Sequence, residues 1–419
     1  MPKLRTCPAM LLVAFLFCTV IGSLAQTAVF TSLASFAGIN GANPESSLTQ
    51  GTDGNFYGTT LGGGSTSCFL GSCGTIFKIT AAGALSTLYS FCAQTGCPDG
   101  FYVPAGLVQA TDGNFYGTTA YGGTPATNCV YHGCGTIFKI TPGGALTTLY
   151  SFCSQANCTD GDVPVAPLVQ GSDGNLYGTT QLGGAYDSGT VFKITLTGTL
   201  TTLYRFCSLG FACPDGSEPI AGLVQATDGN FYGTTLGGGT YGYGTVFKIT
   251  PSGTLTTLHS FDGSDGMSPY GGLVQATDGN FYGTTYAGGG RGRGTAFEVT
   301  PAGVLTTLYS FCSVGLCSDG EFPEAGLVQA SDGNFYGTTE FGGNYSDCGD
   351  GCGTIFKLTS SGTLTTLHKF KGPDGGNPIG GLVRATNGTL YGTTVDGGTY
   401  GSGTVFRLAV VRPCATCLP

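Results

Sequence analysis

An eight-residue string, Asp-Gly-Asn-(Phe/Leu)-Tyr-Gly-Thr-Thr, starts at Asp53, Asp112, Asp173, Asp228, Asp278 and Asp332. A seventh, degenerate copy starts at Asn387. The intervals are 59, 61, 55, 50, 54 and 55 residues. Self-similarity at a period of this size marks a repeat architecture, and it constrains the fold more than any other signal. Each unit holds four short segments rich in β-branched and aromatic residues, bounded by Gly, Asp, Asn or Pro, which predicts strands. Examples are Gly-Leu-Val-Gln-Ala (272–276), Phe-Tyr-Gly-Thr-Thr (281–285), Gly-Thr-Val-Phe-Lys-Ile-Thr (244–250) and Leu-Thr-Thr-Leu-Tyr-Ser-Phe (305–311). Asp-Gly-Asn joins the first segment to the second as a hairpin turn, because Gly and Asn tolerate positive φ. Pro-Ser-Gly (251–253) does the same between the third and fourth.

Composition supports short strands and tight turns. With 76 Gly in 419 residues, long helices are disfavoured, since Gly costs about 1 kcal/mol relative to Ala in a helix interior. A hydrophobic content of 41% with only 9% charged residues excludes a disordered chain. Four strands per unit fit a propeller blade best. The segment Phe30–Phe36 matches a fourth strand, and Gly403–Leu408 matches a third strand that lacks its fourth. The prediction is therefore an all-β, seven-bladed β-propeller spanning 26–409, with four antiparallel strands per blade. The N-terminal strand closes the last blade, so 30–36 lies beside 403–408. The alternative, a transmembrane β-barrel, would need longer lipid-facing alternation and aromatic girdles.

Lys3 and Arg5, the apolar run Met10–Leu24 and the small residues at 23–25 read as a secretory signal over 1–25. Residues 410–419 form a tail with a CxxC. The expected mature chain is exported, secreted or at the cell surface, monomeric, with no membrane span after signal cleavage. The net charge of −9 and the absence of a basic block argue against nucleic acid.

The pattern Gly-Leu-Val-Gln-Ala-Thr-Asp-Gly-Asn-Phe-Tyr-Gly-Thr-Thr followed by Gly-Thr-Val-Phe-Lys-Ile-Thr resembles the tandem repeats called GloVer. These occur in exported bacterial proteins of the choice-of-anchor kind. The resemblance covers nearly all of the mature chain and implies a cell-surface or secreted location, with no activity to carry over. Residues 410–419 depart from that layout, because they contain no hydrophobic sorting tail. A looser likeness exists to streptogramin-lyase-type propellers, whose repeats also read Asp-Gly-Asn-aromatic and then Ile-Thr-Pro-x-Gly. That class uses a His/Glu pair and a divalent metal. No His and Glu occupy matching loop positions here, so neither the activity nor the metal is transferred.

Eighteen Cys occur, and Cys7 and Cys18 leave with the signal. The other sixteen form close pairs: Cys68 with Cys73, Cys92 with Cys97, Cys129 with Cys134, Cys153 with Cys158, Cys207 with Cys213, Cys312 with Cys317, Cys348 with Cys352 and Cys414 with Cys417. The 50-residue interval contains no pair, those of 54 and 55 contain one each, and those of 59 and 61 contain two each. Each pair behaves as a small insertion into a constant blade. In an exported chain this favours local disulfides over zinc sites. The pair Cys414 and Cys417, outside the blades, is expected to be a terminal disulfide rather than a redox centre. A loop this short gains only about 2 kcal/mol by chain entropy, so the bridges mainly stiffen loops.

Antiparallel strands sort the connections onto two faces. The Asp-Gly-Asn and Pro-Ser-Gly turns share one, the turn face. Connections after the second and fourth strands share the other, the loop face, which carries the variable lengths and seven of the Cys pairs. Function concentrates in variable loops on rigid scaffolds. The candidate ligand-binding residues are therefore Tyr121, Tyr131, His132, Tyr186, Tyr241, Tyr243, Arg291, Arg293, Phe341, Tyr345 and Tyr400. Exposed Tyr stacks on sugar rings or anchors an interface.

The motif Asp/Asn-Gly-x-x-Pro follows the fourth strand at Asn40, Asp99, Asp160, Asp215, Asp265, Asp319 and Asp374, with an added residue in the second unit. It is read as a turn rather than a Ca²⁺ ring. Lys78, Lys139, Lys193, Lys248 and Lys357 recur in the third strand, with Glu298 and Arg407 elsewhere, and are read as a solvated edge. His259 and His368 replace Tyr in fourth strands. No catalytic residue, metal or cofactor is assigned. The expected function is an exported, non-enzymatic binding or scaffold propeller presenting the loop face to an extracellular glycan or protein. That reading expects aromatics without converging carboxylates. The alternative is a carbohydrate-active or lyase-type enzyme, with carboxylates drawn from Glu218, Glu321, Glu324, Glu340, Asp347, Asp350 and Asp396. It expects acidic groups gathered near the central channel.

Overall fold

The computed structural model describes residues 27–68, 71–124, 129, 133–210, 212–346 and 348–411. The signal segment, Tyr131, His132, Asp347, Cys414 and Cys417 lie outside the described residues, and with them the expected terminal disulfide.

The chain forms seven four-stranded antiparallel sheets in a ring, a seven-bladed β-propeller. Blade 1 shows the common plan: Thr49–Gln50, Phe56–Thr60, Thr75–Ile79 and Leu85–Ser90, from the channel outward. Blade 7 is completed from both parts of the chain. Thr27–Ser35 pairs with Thr404–Val411 over eight residue pairs, against five between third and fourth strands elsewhere. The expected neighbours are in register, with Phe30 opposite Leu408 and Ser35 opposite Thr404. The seam even reproduces the bulge that interrupts every other third–fourth pairing.

The repeated residues hold blade to blade. The Phe of one second strand stacks on the Tyr of the preceding blade's second strand, at 4.0–4.1 Å between ring centroids: Tyr57 with Phe115, Tyr177 with Phe231, Tyr232 with Phe281 and Tyr282 with Phe335. Phe56 on Tyr391 carries the stack across the closure. Such pairs contribute about 0.5–1.5 kcal/mol each beyond area burial. The Gly between Tyr and Thr is required by packing. A Cβ on Gly58 would stand 2.5 Å from Phe77 Cζ and 2.8 Å from Leu48 Cδ2. The first-strand Gln gives a second stitch, its side-chain carbonyl accepting from a backbone N–H of the preceding blade. Gln109 takes Thr52, Gln170 takes Thr111, and Gln50 reaches Thr386 across the closure. Blade 7 has Arg384 at this position.

Seven disulfides form, all on the loop face. They join Cys68 to Cys73, Cys92 to Cys97, Cys129 to Cys134, Cys153 to Cys158, Cys207 to Cys213, Cys312 to Cys317 and Cys348 to Cys352. Each is the pairing expected from proximity in the chain. The loops after the fourth strands close with both cysteines in left-handed backbone, as at Cys92 and Cys97 (φ 57° and 47°) and at Cys207 and Cys213 (φ 64° and 45°). The extra residue between Cys207 and Cys213 is therefore absorbed inside the loop, without changing how its ends are set. Among the described residues no helix is long and apolar enough to cross a membrane.

Candidate functional site

Carboxylates occur on both faces, in opposite surroundings. On the turn face the Asp of Asp-Gly-Asn is enclosed by donors. Asp53 accepts from the Asn55 backbone and side chain, from Tyr57 Oη at 2.9 Å and from Lys78 Nζ at 2.8 Å. Strand register explains the lysine: Lys78 stands opposite Tyr57, so its stem crosses the ring and its ammonium reaches the turn. Lys139–Asp112 and Lys248–Asp228 repeat this at 2.9 and 2.8 Å. Lys78, Lys139 and Lys248 are thus ion-pair partners, which corrects for these three the expectation of a merely solvated edge. Burial alone would raise the Asp53, Asp112 and Asp228 carboxyls. Hydrogen bonds from Lys, Asn and Tyr outweigh it and hold them well below the usual range. Where Glu298 replaces Lys, Asn280 turns its amide to that carboxylate instead.

The Asp-Gly-x-x-Pro aspartates are also used internally. Asp99 accepts from Tyr89 Oη and the Cys92 N–H, both at 2.9 Å. Asp265 and Asp374 meet His259 and His368 at 2.7 and 3.1 Å, so these histidines replace the tyrosine as its hydrogen-bonding equivalents. The second unit contains no added residue. Tyr102 occupies the left-handed position of Asn43, with φ of 63° and 54°, and only the proline falls one step later. All seven blades hold this position left-handed: Asn43, Tyr102, Val163, Glu218, Ser268, Phe322 and Asn377.

That turn aims the next two residues of the chain at the channel. At its loop-face mouth lies a cavity of about 500 Å³. One repeat position contributes Glu45, Pro104, Val165, Ile220, Tyr270, Glu324 and Ile379 from the seven blades in order. The ring is two-sided. Blades 2 to 4 present Pro104, Val165 and Ile220, backed by Leu236 and Gln181. Blades 5 to 1 present Tyr270, Glu324, Ile379 and Glu45, so this side is mixed, and Glu340 and Asp396 act on its two glutamates from the connections after the second strands.

The charges acting on this acidic half are all negative. Burial, then the charges of Glu340 and Glu45, push Glu324 up to about 8. Burial, then Glu340 and Asp396, push Glu45 up to about 7. Glu340 rises to about 6: burial and Asp396 raise it, while a hydrogen bond from Tyr286 holds it back. Near neutral pH the mouth therefore offers a protonated carboxyl donor beside ionised acceptors. Carboxylates do converge on the channel, contrary to the expectation attached to the binding reading. The cause is ring closure, which brings blades 6 and 7 against blade 1.

The aromatic and arginine candidates stand apart from this mouth. Tyr186, Tyr241 and Tyr400 are exposed at loop tips, as is Arg291. Tyr243 lies against Gly263, and Tyr121 packs by Phe101 and Tyr102. Arg293, Phe341 and Tyr345 are brought together in a cleft between blades 5 and 6, with Glu321, Phe322 and Asp350. Of the acids singled out, Glu324, Glu340 and Asp396 meet at the mouth, Glu321 and Asp350 line the cleft, and Glu218 binds the Gln181 amide at 3.2 Å. Glu45 and the mouth tyrosines Tyr270 and Tyr286 were not anticipated. Comparing the residue after the Asp-Gly-x-x-Pro turn across units would have exposed Glu45 and Tyr270.

The model of the Gloeobacter/Verrucomicrobia repeat matches residues 19–215 and 207–406. No curated protein matches the chain. Among solved structures, the extracellular domain of BT4673 from B. thetaiotaomicron is similar at a TM-score of 0.53 with 11% identity; the match covers 92% of this chain and 42% of that one. The Pseudomonas aeruginosa periplasmic gluconolactonase PpgL gives a TM-score of 0.49 with 18% identity, covering 85% and 99%. The PQQ-bound aldose sugar dehydrogenase of Streptomyces coelicolor gives 0.44 with 12% identity, covering 92% and 99%. At 11% identity the first of these bears on the fold alone.

Proposed function

The chain belongs to the Gloeobacter/Verrucomicrobia repeat family, and from that premise we propose an exported binding propeller that takes an extracellular glycan at the loop-face mouth of its channel. One observation carries this reading: the mouth sets an apolar arc of Pro104, Val165 and Ile220 opposite Tyr270, Glu324 and Glu45, with Ile379 between the two glutamates. A pyranose ring has the matching division, with apolar C–H faces and a hydroxyl rim. Protonated Glu324 donates to a sugar oxygen, while ionised neighbours accept from hydroxyls. Seven disulfides support an oxidising, extracellular setting.

The test is a glycan array probed with the purified, oxidised chain. Specific glycans bind, and Glu324→Gln weakens them at least tenfold while Asp112→Asn on the turn face does not. An array without signal above background overturns the proposal.

The carboxyl cluster favours a second reading, acid–base cleavage of a bound glycan. Glu324 keeps its proton beside ionised Glu340, the division of labour that general acid and base require. Incubation of each bound glycan between pH 6 and 8 separates the two, because only the enzyme releases shortened products.

A further inference from the structure

The cleft between blades 5 and 6 has a volume of about 440 Å³. Its floor is Glu321, which is 6% exposed. Tyr345 Oη donates to Glu321 Oε1 at 2.8 Å. The other oxygen, Oε2, faces Arg293 Nε at 3.2 Å but has no aligned hydrogen bond. That buried oxygen is ion-paired but short of an aligned donor, and Arg293, which covers it, is half exposed in the cleft.

Two further features mark the cleft as built for contact. The first is Leu316, which lines it and is 84% exposed. Leu316 sits at φ 56° inside the loop closed by Cys312–Cys317. The sister loop, closed by Cys153–Cys158, has Asn157 at the equivalent place with φ 57°. Asn suits left-handed backbone and water, whereas Leu suits neither. The second is the wall. Phe322, held at φ 55°, carries the Arg293 guanidinium 4.9 Å above its ring, and Tyr286 stacks on it at 4.8 Å. Tyr286 is also the residue that hydrogen-bonds Glu340 at the channel mouth. The cleft and the mouth therefore share one continuous wall.

We propose that this cleft is a second sugar subsite, so that the glycan bound at the mouth is an oligosaccharide whose outer residue rests between blades 5 and 6. As Arg293 swings toward the sugar, a hydroxyl of that residue donates to the uncovered Glu321 Oε2. The Arg293 guanidinium donates to its ring or hydroxyl oxygens. Leu316 and Phe341 cover its apolar face. The inference rests on the reading of the mouth as a glycan site and names the size class of its ligand.

The test measures affinity by calorimetry for β-1,4-linked oligomers of glucose, xylose and N-acetylglucosamine, each at two and five residues. In at least one series the longer oligomer binds the oxidised full-length chain about tenfold tighter. Leu316→Ala, a surface change, reduces that gain to twofold or less and leaves the two-residue affinity unaltered, and Arg293→Met, which also unpairs buried Glu321, reduces the gain as well. Glu321→Gln keeps the shape and removes part of the gain, whereas Glu324→Gln weakens both lengths. A length dependence untouched by Leu316→Ala and Arg293→Met overturns the second subsite while leaving the mouth intact. Failure of every oligomer to bind overturns both.

Discussion

The turn face and the loop face use the same chemical group to opposite ends. Asp112 is enclosed by Asn114, Tyr116 and Lys139, and its proton is held off. Glu324 has carboxylates for its charged neighbours, and its proton is held on. The first arrangement recurs in blades 1, 2 and 4 with nearly constant distances. The second belongs to one sector of the ring. A carboxylate whose bonds are all satisfied internally serves the scaffold, whereas crowded carboxyls are kept at a cost to the fold and are free for a ligand.

The contrast can be broken by measurement. Asp112→Ala removes the acceptor of three partners and lowers the unfolding free energy by about 2 kcal/mol in urea titration, with ligand binding unchanged. A neutral result would place the turn-face clasp outside the scaffold. The pH profile is the next largest effect. Glu45, Glu324 and Glu340 have folded values above the ordinary 4.5, so they stabilise fully below pH 4.5 and that contribution is lost as pH rises toward 8. The turn-face aspartates have depressed values, so their contribution is present above pH 3.8 and is lost as pH falls further. Calorimetry should therefore find the highest Tm near pH 5. From pH 5 to 8 the Tm falls, and Glu45→Gln with Glu324→Gln flattens that fall. The smallest effect comes from Lys248→Met, which costs about 0.5 kcal/mol at low salt and less at 0.5 M NaCl, because both members of the pair are partly exposed.

How much of this was legible differs by level. Blade number, strand order and the closing seam were readable because each repeats a local pattern, and Phe30–Phe36 and Gly403–Leu408 are recognisable halves of it. Disulfides such as Cys92 with Cys97 and Cys207 with Cys213 were readable because both partners lie in one loop. The clasp at Asp53 was missed because Lys78 reaches it through register, not through sequence proximity. The mouth was read only in part, through Glu324, Glu340 and Asp396 as candidate acids, because it is made of differences. Glu45, Tyr270 and Glu324 stand at a position where other blades carry Pro, Val or Ile, and a search for what recurs passes over Glu45 and Tyr270. Their meeting is a product of the ring, which sets distant units side by side. The cleft was visible in its parts: Arg293, Phe341 and Tyr345 were singled out as contact residues and Glu321 and Asp350 as candidate acids, but nothing in the spacing joined the two sets.

The seam between Thr27–Ser35 and Thr404–Val411 has a kinetic consequence. The earliest strand waits unpaired through the synthesis of all seven sheets, and its partner is the last to arrive. The ring therefore shuts late, by a contact between the first and last strands of the propeller, and such long-range pairing is slow. Once shut, the seam acts as a latch. Unravelling from either side must first separate eight paired residues that no other blade can replace, so the assembled ring should open rarely and resist exoproteolysis.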